Sequence, residues 1–430
     1  MNHSKLFRLL ALFFVLLLLA AGCGRGDDDD AESEGEEGTE AAEVQPGPGF
    51  DGTTITLGIV TPQTGPVTII GDPLTRGNEV YFEYVNEELG GVAGKYPIET
   101  LAVDSRYDPT TGVQQYNAIK DQVVMFAQML GTPIVNAALE QLKADNIIAA
   151  PASLDAFWVR EQNLLPIGGP YQVQAINAMS WYLTEGGGEG STICFAGHDD
   201  PYGDAGFEGM EFASGELEFD IAAEARFSST DTDFTAPVQQ LQAAQCEAVF
   251  LTATPTTAGG IMGKAATSGF APQWIGQSPT WIGAFTASPL LPYLQENFVL
   301  AAEGTEWGDM SIEGMQQMLE HVEAYAPDQQ PDIYFTFGYA QAWAVHQLLE
   351  QAVELGDLGR DGMIEAINSI ETLTFGDLFG DYPYGLPEDR DPPRRSSIFS
   401  VDPAAPGGLS LVVGDIESDA AQAYVFPAEA

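Results

Sequence analysis

The chain has 430 residues, with 63 Asp or Glu against only 15 Lys or Arg, a formal net charge of −48 at pH 7. Such a surplus of acid excludes nucleic acid as a general partner, because phosphate binding needs clustered bases. Four histidines and three cysteines leave little material for zinc or thiol chemistry.

Lys5 and Arg8 precede the apolar run Leu9 to Leu19, which ends in Leu19-Ala20-Ala21-Gly22-Cys23. A basic start, a short apolar segment and small residues before a cleavage point read as a secretory leader, too short for a stable membrane span. The Leu-Ala-Ala-Gly-Cys string resembles a bacterial lipobox, which implies cleavage after residue 22 and a diacylglycerol on Cys23. A plain secretory leader with an incidental cysteine is the alternative. Four aspartates at 27–30 and six glutamates between 32 and 43 follow, then Pro46-Gly-Pro-Gly. With almost no apolar side chains, residues 23–50 read as a disordered tether spanning on the order of 30 Å. The acidic run lacks the spacing of a calcium loop. Setting aside Lys5, Arg8, Arg25 and the ten tether acids leaves about −41 on the folded part. That charge fits either a saline or alkaline habitat or simply a solvated acidic surface.

The folded part opens with Ile55, Leu57, Ile59 and Val60, a short apolar strand. A polar loop over 61–71 leads to a helix expected over Arg76–Glu88, after Pro73. Gly58, Gly65 and Gly71 are too widely spaced for a dinucleotide fingerprint, and no phosphate-binding GxxxxGK[ST] string occurs. Strands are expected at Ile98–Val103, Val123–Ala127 and Ile147–Ala149, with helices opening at Pro109 and running over Ile134–Ala144. The pattern then restarts. A helix over Val173–Thr184, with Ile176, Met179 and Trp181-Tyr182 facing the core, is followed by strands at Thr192–Ala196, Ile221–Ala225, Ala248–Thr252 and Trp274–Gly276. Between these strands lie a helix through Phe207 and Met210 and another after Asp233. The Gly-rich stretch 186–190 is a turn. Alternating strands and helices of this kind predict an α/β fold of two doubly wound lobes with a ligand cleft at the carboxyl ends of the strands. Cys194 and Cys246 fall on or beside neighbouring strands, which permits a disulfide, but the mid-strand apolar setting of Cys194 favours two buried thiols.

Together, ITLGIVTPQTGP with Gly71, VVMFAQMLGTP, IIAAPAS, TICFAGHDDPYGDAG, DFTAPVQQLQAAQCEAVFLTATP and FGYAQAWAVHQLLEQA resemble the type I periplasmic binding proteins, in particular the lipoprotein form of the leucine/isoleucine/valine-binding branch that serves ABC importers. The resemblance runs from Ile55 to Leu349 and is vaguer after Phe375. It implies lobes joined by a multi-crossover hinge, one from 51–172 with 303–390 and the other from 173–302 with 391–430. It also implies ligand contacts at Thr64, Gly65 and Ile70, at Gly131 and Thr132, at Ala152, Ser153 and Leu154, and across the cleft at Tyr202, Ala253, Thr254 and Ser278. Ser278 stands where amino-acid binders of this family place an acid against the ligand's ammonium. Glu303, Glu306, Asp199 or Asp200 are candidates to replace it. Each is equally readable as an ordinary loop or capping residue.

An enzyme is not expected, since His198, His321 and His346 are far apart in the sequence and no HExxH, CxxC or GxSxG string is present. The expected function is that of an extracytoplasmic solute-binding lipoprotein, a monomer anchored at the outer face of the membrane and needing no metal or organic cofactor. It would deliver a small amino-acid-like, amide or carboxylate solute to an ABC permease and its ATPase. The ligand-binding component of a sensor is the alternative. The large charge gives one direct expectation. Screening weakens self-repulsion within a Debye length of about 10 Å at 0.1 M salt, so melting temperature rises with NaCl from low to molar concentration. A flat curve, with sulfate as a control for ion exclusion, would leave only the solvated-surface reading.

Overall fold

The computed structural model describes residues 44–427; the leader, Cys23 and the acidic run through Glu43 lie outside them, as do 428–430. A first sheet is built from β1 (Ile55–Thr61), β2 (Ile98–Asp104), β3 (Phe126–Leu130) and β4 (Ala149–Ala152), all parallel in the order β2-β1-β3-β4. The crossover helices are α1 (Thr68–Glu87), α2 (Pro109–Ile119) and α3 (Thr132–Asp145). Asp108 caps α2 by accepting from the Thr111 N–H at 2.7 Å, with Pro109 at its first turn.

A second sheet has seven strands. The chain passes through α4 (Tyr171–Thr184), β5 (Ile193–His198), α5 (Pro201–Glu216), β6 (Ile221–Phe227), α6 (Thr235–Ala243), β7 (Ala248–Thr252), α7 (Pro255–Thr267), β8 (Gln273–Gln277), α8 (Leu291–Asn297) and β9 (Phe298–Ala302). It then leaves for α9 (Glu313–Tyr325), α10 (Ile333–Leu355) and α11 (Arg360–Ser369), of which α9 and α10 pack on α1 and α10 also on the first sheet. A short hairpin, β10 (Thr372–Leu373) with β11 (Tyr382–Pro383), precedes a return to the second sheet as β12 (Ser396–Val401) and β13 (Leu409–Ile416), closed by α12 (Asp419–Ala423). The strand order is β13-β12-β9-β8-β7-β5-β6, with β12 antiparallel to β9. The chain therefore crosses between the sheets three times, after β4, after β9 and after β11. Among the described residues no helix is long and apolar enough to cross a membrane.

Several boundaries differ from the sequence reading. The helix α1 starts at Thr68 and runs through Pro73, giving up one backbone bond; buried Ile70, Leu74 and Gly77 on its inner face offset that loss. The strand β3 begins three residues later than expected, although Val124 and Met125 already exchange backbone bonds with Thr56 and Gly58 of β1 ahead of the register shift after Gly58. The strand β4 contains Pro151, tolerated because β4 ends the sheet. Of the residues assigned to the core face of α4, Trp181 is only half-buried.

The cysteine expectation is overturned: Cys194 and Cys246 form a disulfide, with their Cα atoms 5.8 Å apart. Cys194 lies opposite Val249 in the ladder, and Cys246 lies two residues before β7, where the turn after α6 brings it back over the same face. Mid-strand burial is compatible with a bridge when the partner lies on that face within reach of about 4.4–6.8 Å. Denatured, unreduced protein should show no free thiol at these two positions. Because the bridge closes a separation of 52 residues, its reduction is expected to cost about 2–4 kcal/mol of stability. Two titratable thiols in that sample would refute the bridge.

Candidate functional site

The carboxyl ends of both sheets open onto one cavity of about 110 Å³. Its polar end is built where β3 and β4 finish. Gly131, with φ at +108°, turns the chain from β3 into α3, and a Cβ there would lie 2.7 Å from the Tyr107 ring, so only glycine fits. Behind it Thr132 is fully enclosed, its hydroxyl 2.7 Å from the Ser153 hydroxyl, which is also 3.3 Å from the Tyr171 hydroxyl. Opposite stands Tyr202 in the first turn of α5. Asp200 caps that helix, accepting from the Tyr202 and Gly203 N–H groups at 3.0 and 3.1 Å. The rings of Tyr171 and Tyr202 are 5.1 Å apart, and the buried Tyr202 hydroxyl has no hydrogen-bond partner among the described residues. Burial holds the Tyr107, Tyr171 and Tyr202 phenols above their ordinary pKa, so all are neutral donors at physiological pH.

The histidine nearest this end is structural. His198 at the end of β5 is fully buried; its Nε2 accepts from the Thr254 N–H at 3.3 Å and lies 2.8 Å from the Thr257 hydroxyl, so it fixes the loop that puts Thr254 at the cavity wall. His321 and His346 sit on α9 and α10, bonded to the hydroxyls of Tyr339 and Tyr81. Among the described residues there is no His, Cys, Asp and Glu cluster suited to a metal ion.

Away from the polar end the wall is apolar and comes largely from the crossing segments and from β12 and β13. Trp281, Trp307, Phe337, Phe379, Phe399 and Leu409 line it. The Trp281 ring is fixed by its Nε1–H donating to the Gly407 carbonyl at 3.0 Å, and Tyr334 on α10 donates to the Trp281 carbonyl at 2.8 Å. That last bond ties a helix of the first sheet to a loop of the second. A second tie is the Thr256 hydroxyl donating to the Pro66 carbonyl at 3.2 Å.

Charge in the cavity is of one sign. Glu303, Glu306 and Asp332 line it, and among the described residues no Lys or Arg does. Glu303 accepts from the Gln174 amide at 2.6 Å, and no ion pair reaches it among the described residues. Burial pushes its carboxyl up to about 7, opposed only by the hydrogen bonds of its own backbone, Ser278 and Gln174. Asp332, the cap of α10, accepts from the Tyr334 and Phe335 N–H groups, and burial pushes it up to about 6.

Of the residues singled out in the sequence, Ile70, Gly131, Ala152, Ser153, Leu154, Tyr202, Thr254 and Ser278 line this cavity. Thr64, Gly65, Thr132 and Ala253 do not. Thr64 is exposed and spends its hydroxyl on Asp104 at 2.6 Å, and Ala253 is enclosed behind Thr254. Tyr107, Tyr171, Trp281, Tyr334 and the wall of β12 and β13 were missed. Tyr107 stands just past the polar turn after β2 and Tyr171 just past the Gly-Gly-Pro turn of the first crossing, positions that could have flagged them; Phe399 and Leu409 carry no such signal.

The solved structures most like this one include a fatty acid ABC transporter substrate-binding protein from Thermomonospora curvata, with TM-score 0.83 and 27% identity over 89% of this chain and 97% of that one. A branched-chain amino acid ABC transporter protein from Thermus thermophilus with bound valine gives 0.73 at 16% identity, over 86% and 98%, a likeness of fold alone. A Leu/Ile/Val-binding protein homolog from Brucella melitensis biotype 1 is 32% identical over 92 residues, 21% of this chain and 24% of that protein, so the match spans only about a quarter of it. The model of the periplasmic binding proteins matches residues 54–406, and the chain belongs to that family.

Proposed function

We propose that this protein is the solute-binding component of an ABC importer and that its solute is an apolar or aromatic monocarboxylic acid or amide. In this reading one lobe (51–172 with 303–390) and the other (173–302 with 391–430) close on the solute, which favours the closed form through contacts that only both lobes together supply. The observation that carries the reading is the wall: hydroxyl donors converge at one end, on Ser153, Tyr171 and Tyr202, and the remainder is mostly aromatic and aliphatic, with the acids Glu303, Glu306 and Asp332 and no base among the described residues. The head group takes the hydroxyls and the start of α3, where Gly131 and Ser153 line the cavity. The apolar body lies along Trp281, Phe337 and Leu409, and its transfer from water contributes about 25 cal/mol per Å² buried. The likeness to the fatty acid ABC transporter substrate-binding protein of Thermomonospora curvata supports the same solute class.

A second reading has its own observation. Glu303 faces the cavity without a counter-ion, as an acid awaiting the ammonium of an amino acid would. Calorimetry separates the two, with leucine, isoleucine and valine on one side and a graded series of straight-chain monocarboxylates, aliphatic amides and aromatic acids on the other. Micromolar or tighter binding of an acid or amide with no measurable heat from the amino acids is the expected result. Tight binding of a branched-chain amino acid would displace the first reading.

Delivery to a permease is expected from protein held at the outer membrane face by lipid on Cys23. Intact-mass analysis of detergent-extracted protein should give a chain beginning at Cys23 and carrying acyl groups. A soluble, unmodified chain starting elsewhere would remove the anchor.

A further inference from the structure

A cavity with three acids and no base is a poor host for an anion, yet its hydroxyl end and apolar wall suit a monocarboxylate. The two facts are compatible only if a proton accompanies the ligand. We propose that Glu303 is a specificity-determining residue that takes one proton from solvent onto its carboxylate as the cavity fills, so that an apolar acid is held as its anion together with one bound proton. This inference rests on the apolar-acid reading and assigns the charge bookkeeping of that same site.

The geometry supports Glu303 as the acceptor. It stands at the start of the second crossing, directly after β9, and part of its surface faces the cavity. Among the described residues its donors are all neutral, its own backbone N–H, the Gln174 amide at 2.6 Å and the Ser278 hydroxyl. Gln174 is itself held, donating also to the Gly169 carbonyl at 3.2 Å, so it cannot follow a ligand. The groups facing Glu303 from each neighbouring element are neutral or acidic. From α4 come Tyr171 and Gln174, from the loop after β8 Ser278, and from α10 Tyr334, while Asp332, the cap of α10, lines the same cavity. Beyond β4, Leu154 lines the cavity and Asp155 is engaged with Gln172 and the Phe157 N–H. On its own segment Glu306 accepts from the Leu411 N–H. The bases of the third crossing are spent elsewhere, Arg390 on the Glu161 and Leu164 carbonyls, Arg394 on the Ala421 and Tyr424 carbonyls and Arg395 near Asp415 and Glu417.

Burial already holds the carboxyl near neutrality, at about 7. Replacing the water at its open side by an apolar chain removes the last solvation of the charged form and raises its proton affinity further. Between the free value and the raised value of the complex, the complex binds up to one more proton than the free protein, and affinity falls as pH rises through that window. For an amino acid with its ammonium on Glu303 the sign reverses, since that partner needs the ionised form.

The test is titration of the full chain with decanoate across about pH 6 to about pH 8.5, for the native protein and for Glu303→Gln. Native affinity is expected to be level at the acid end and to fall toward a limit of about tenfold per pH unit above neutrality. Glu303→Gln, a standing neutral side chain, is expected to keep the acid-end affinity throughout. Calorimetry of the native protein near pH 8, in two buffers of different ionisation enthalpy, should show uptake of about one proton per decanoate, a reading that does not depend on the variant folding. A pH dependence that survives in Glu303→Gln would put the proton on the ligand or on Asp332 and overturn the proposal. So would a flat native profile, or affinity that rises with pH. No binding of decanoate at any pH would instead remove the apolar-acid reading itself, and the proton with it.

Discussion

The contact on which this architecture depends is the crossing of α1 and α10, made through glycines. A Cβ on Gly77 would lie 2.2 Å from the Phe335 carbonyl oxygen, and one on Gly338 would lie 1.9 Å from the Leu74 carbonyl oxygen, so at this crossing the two helices meet backbone to backbone. Such an approach strands polar groups unless they find partners, and Asn78 supplies them. Its amide donates to the Leu74 and Gly338 carbonyls and to the side-chain oxygens of Gln128 and Gln341, joining both helices to β3 in one buried network. Two N–H groups are shared among these four acceptors, and the Asn78 Oδ1 has no partner among the described residues, so the network fixes the helix crossing through its donors and is costly to break piecemeal.

Its consequence is topological. Residues 333–355 come to the first sheet only after the second sheet's parallel strands are complete, so α10 must reach back, and the chain must then return to lay β12 beside β9. Three crossings result, and the cavity lies against them. Trp307 and Phe379 stand on or beside crossing segments, and Phe399 and Leu409 lie on the strands added at the last return. The apolar wall is thus a by-product of how the chain is threaded, whereas the hydroxyl end comes from the strand ends where ligands of open α/β sheets are found.

That division explains what could be read from the sequence. Alternation and turn residues define β7 to the residue and β5 to within two, since each is a short apolar run between breakers. The loops that touch the cavity were named by the resemblance to the periplasmic binding proteins rather than by patterning, and Gly131, Ser153, Tyr202, Thr254 and Ser278 from those loops do stand together there. Thr64 and Thr132 share the same loops yet point their hydroxyls into Asp104 and Ser153, because spacing fixes where a residue lies and not what its side chain finds. The Trp281 indole meets the Gly407 carbonyl across 126 positions, and the Cys194 and Cys246 sulfurs meet across a turn whose direction no local pattern encodes. Long-range side-chain meetings of that sort carry the unread part of the site.

The acidity of the surface and that of the cavity are separate problems with a common physical root. Surface carboxylates keep their water, so their mutual repulsion is weakened by ions within about 10 Å at 0.1 M salt. Glu303 sits where such screening does not reach, and no base shares its cavity. A carboxylate in that position has two ways to lower its energy, a cation from the ligand or a proton from water. The wall leaves room for an apolar body and offers hydroxyls rather than bases to the head group, so the proton is the partner that the rest of the cavity accommodates. Salt and pH therefore act on different parts of this molecule: ions on the stability of the whole, and protons on what the cleft will hold.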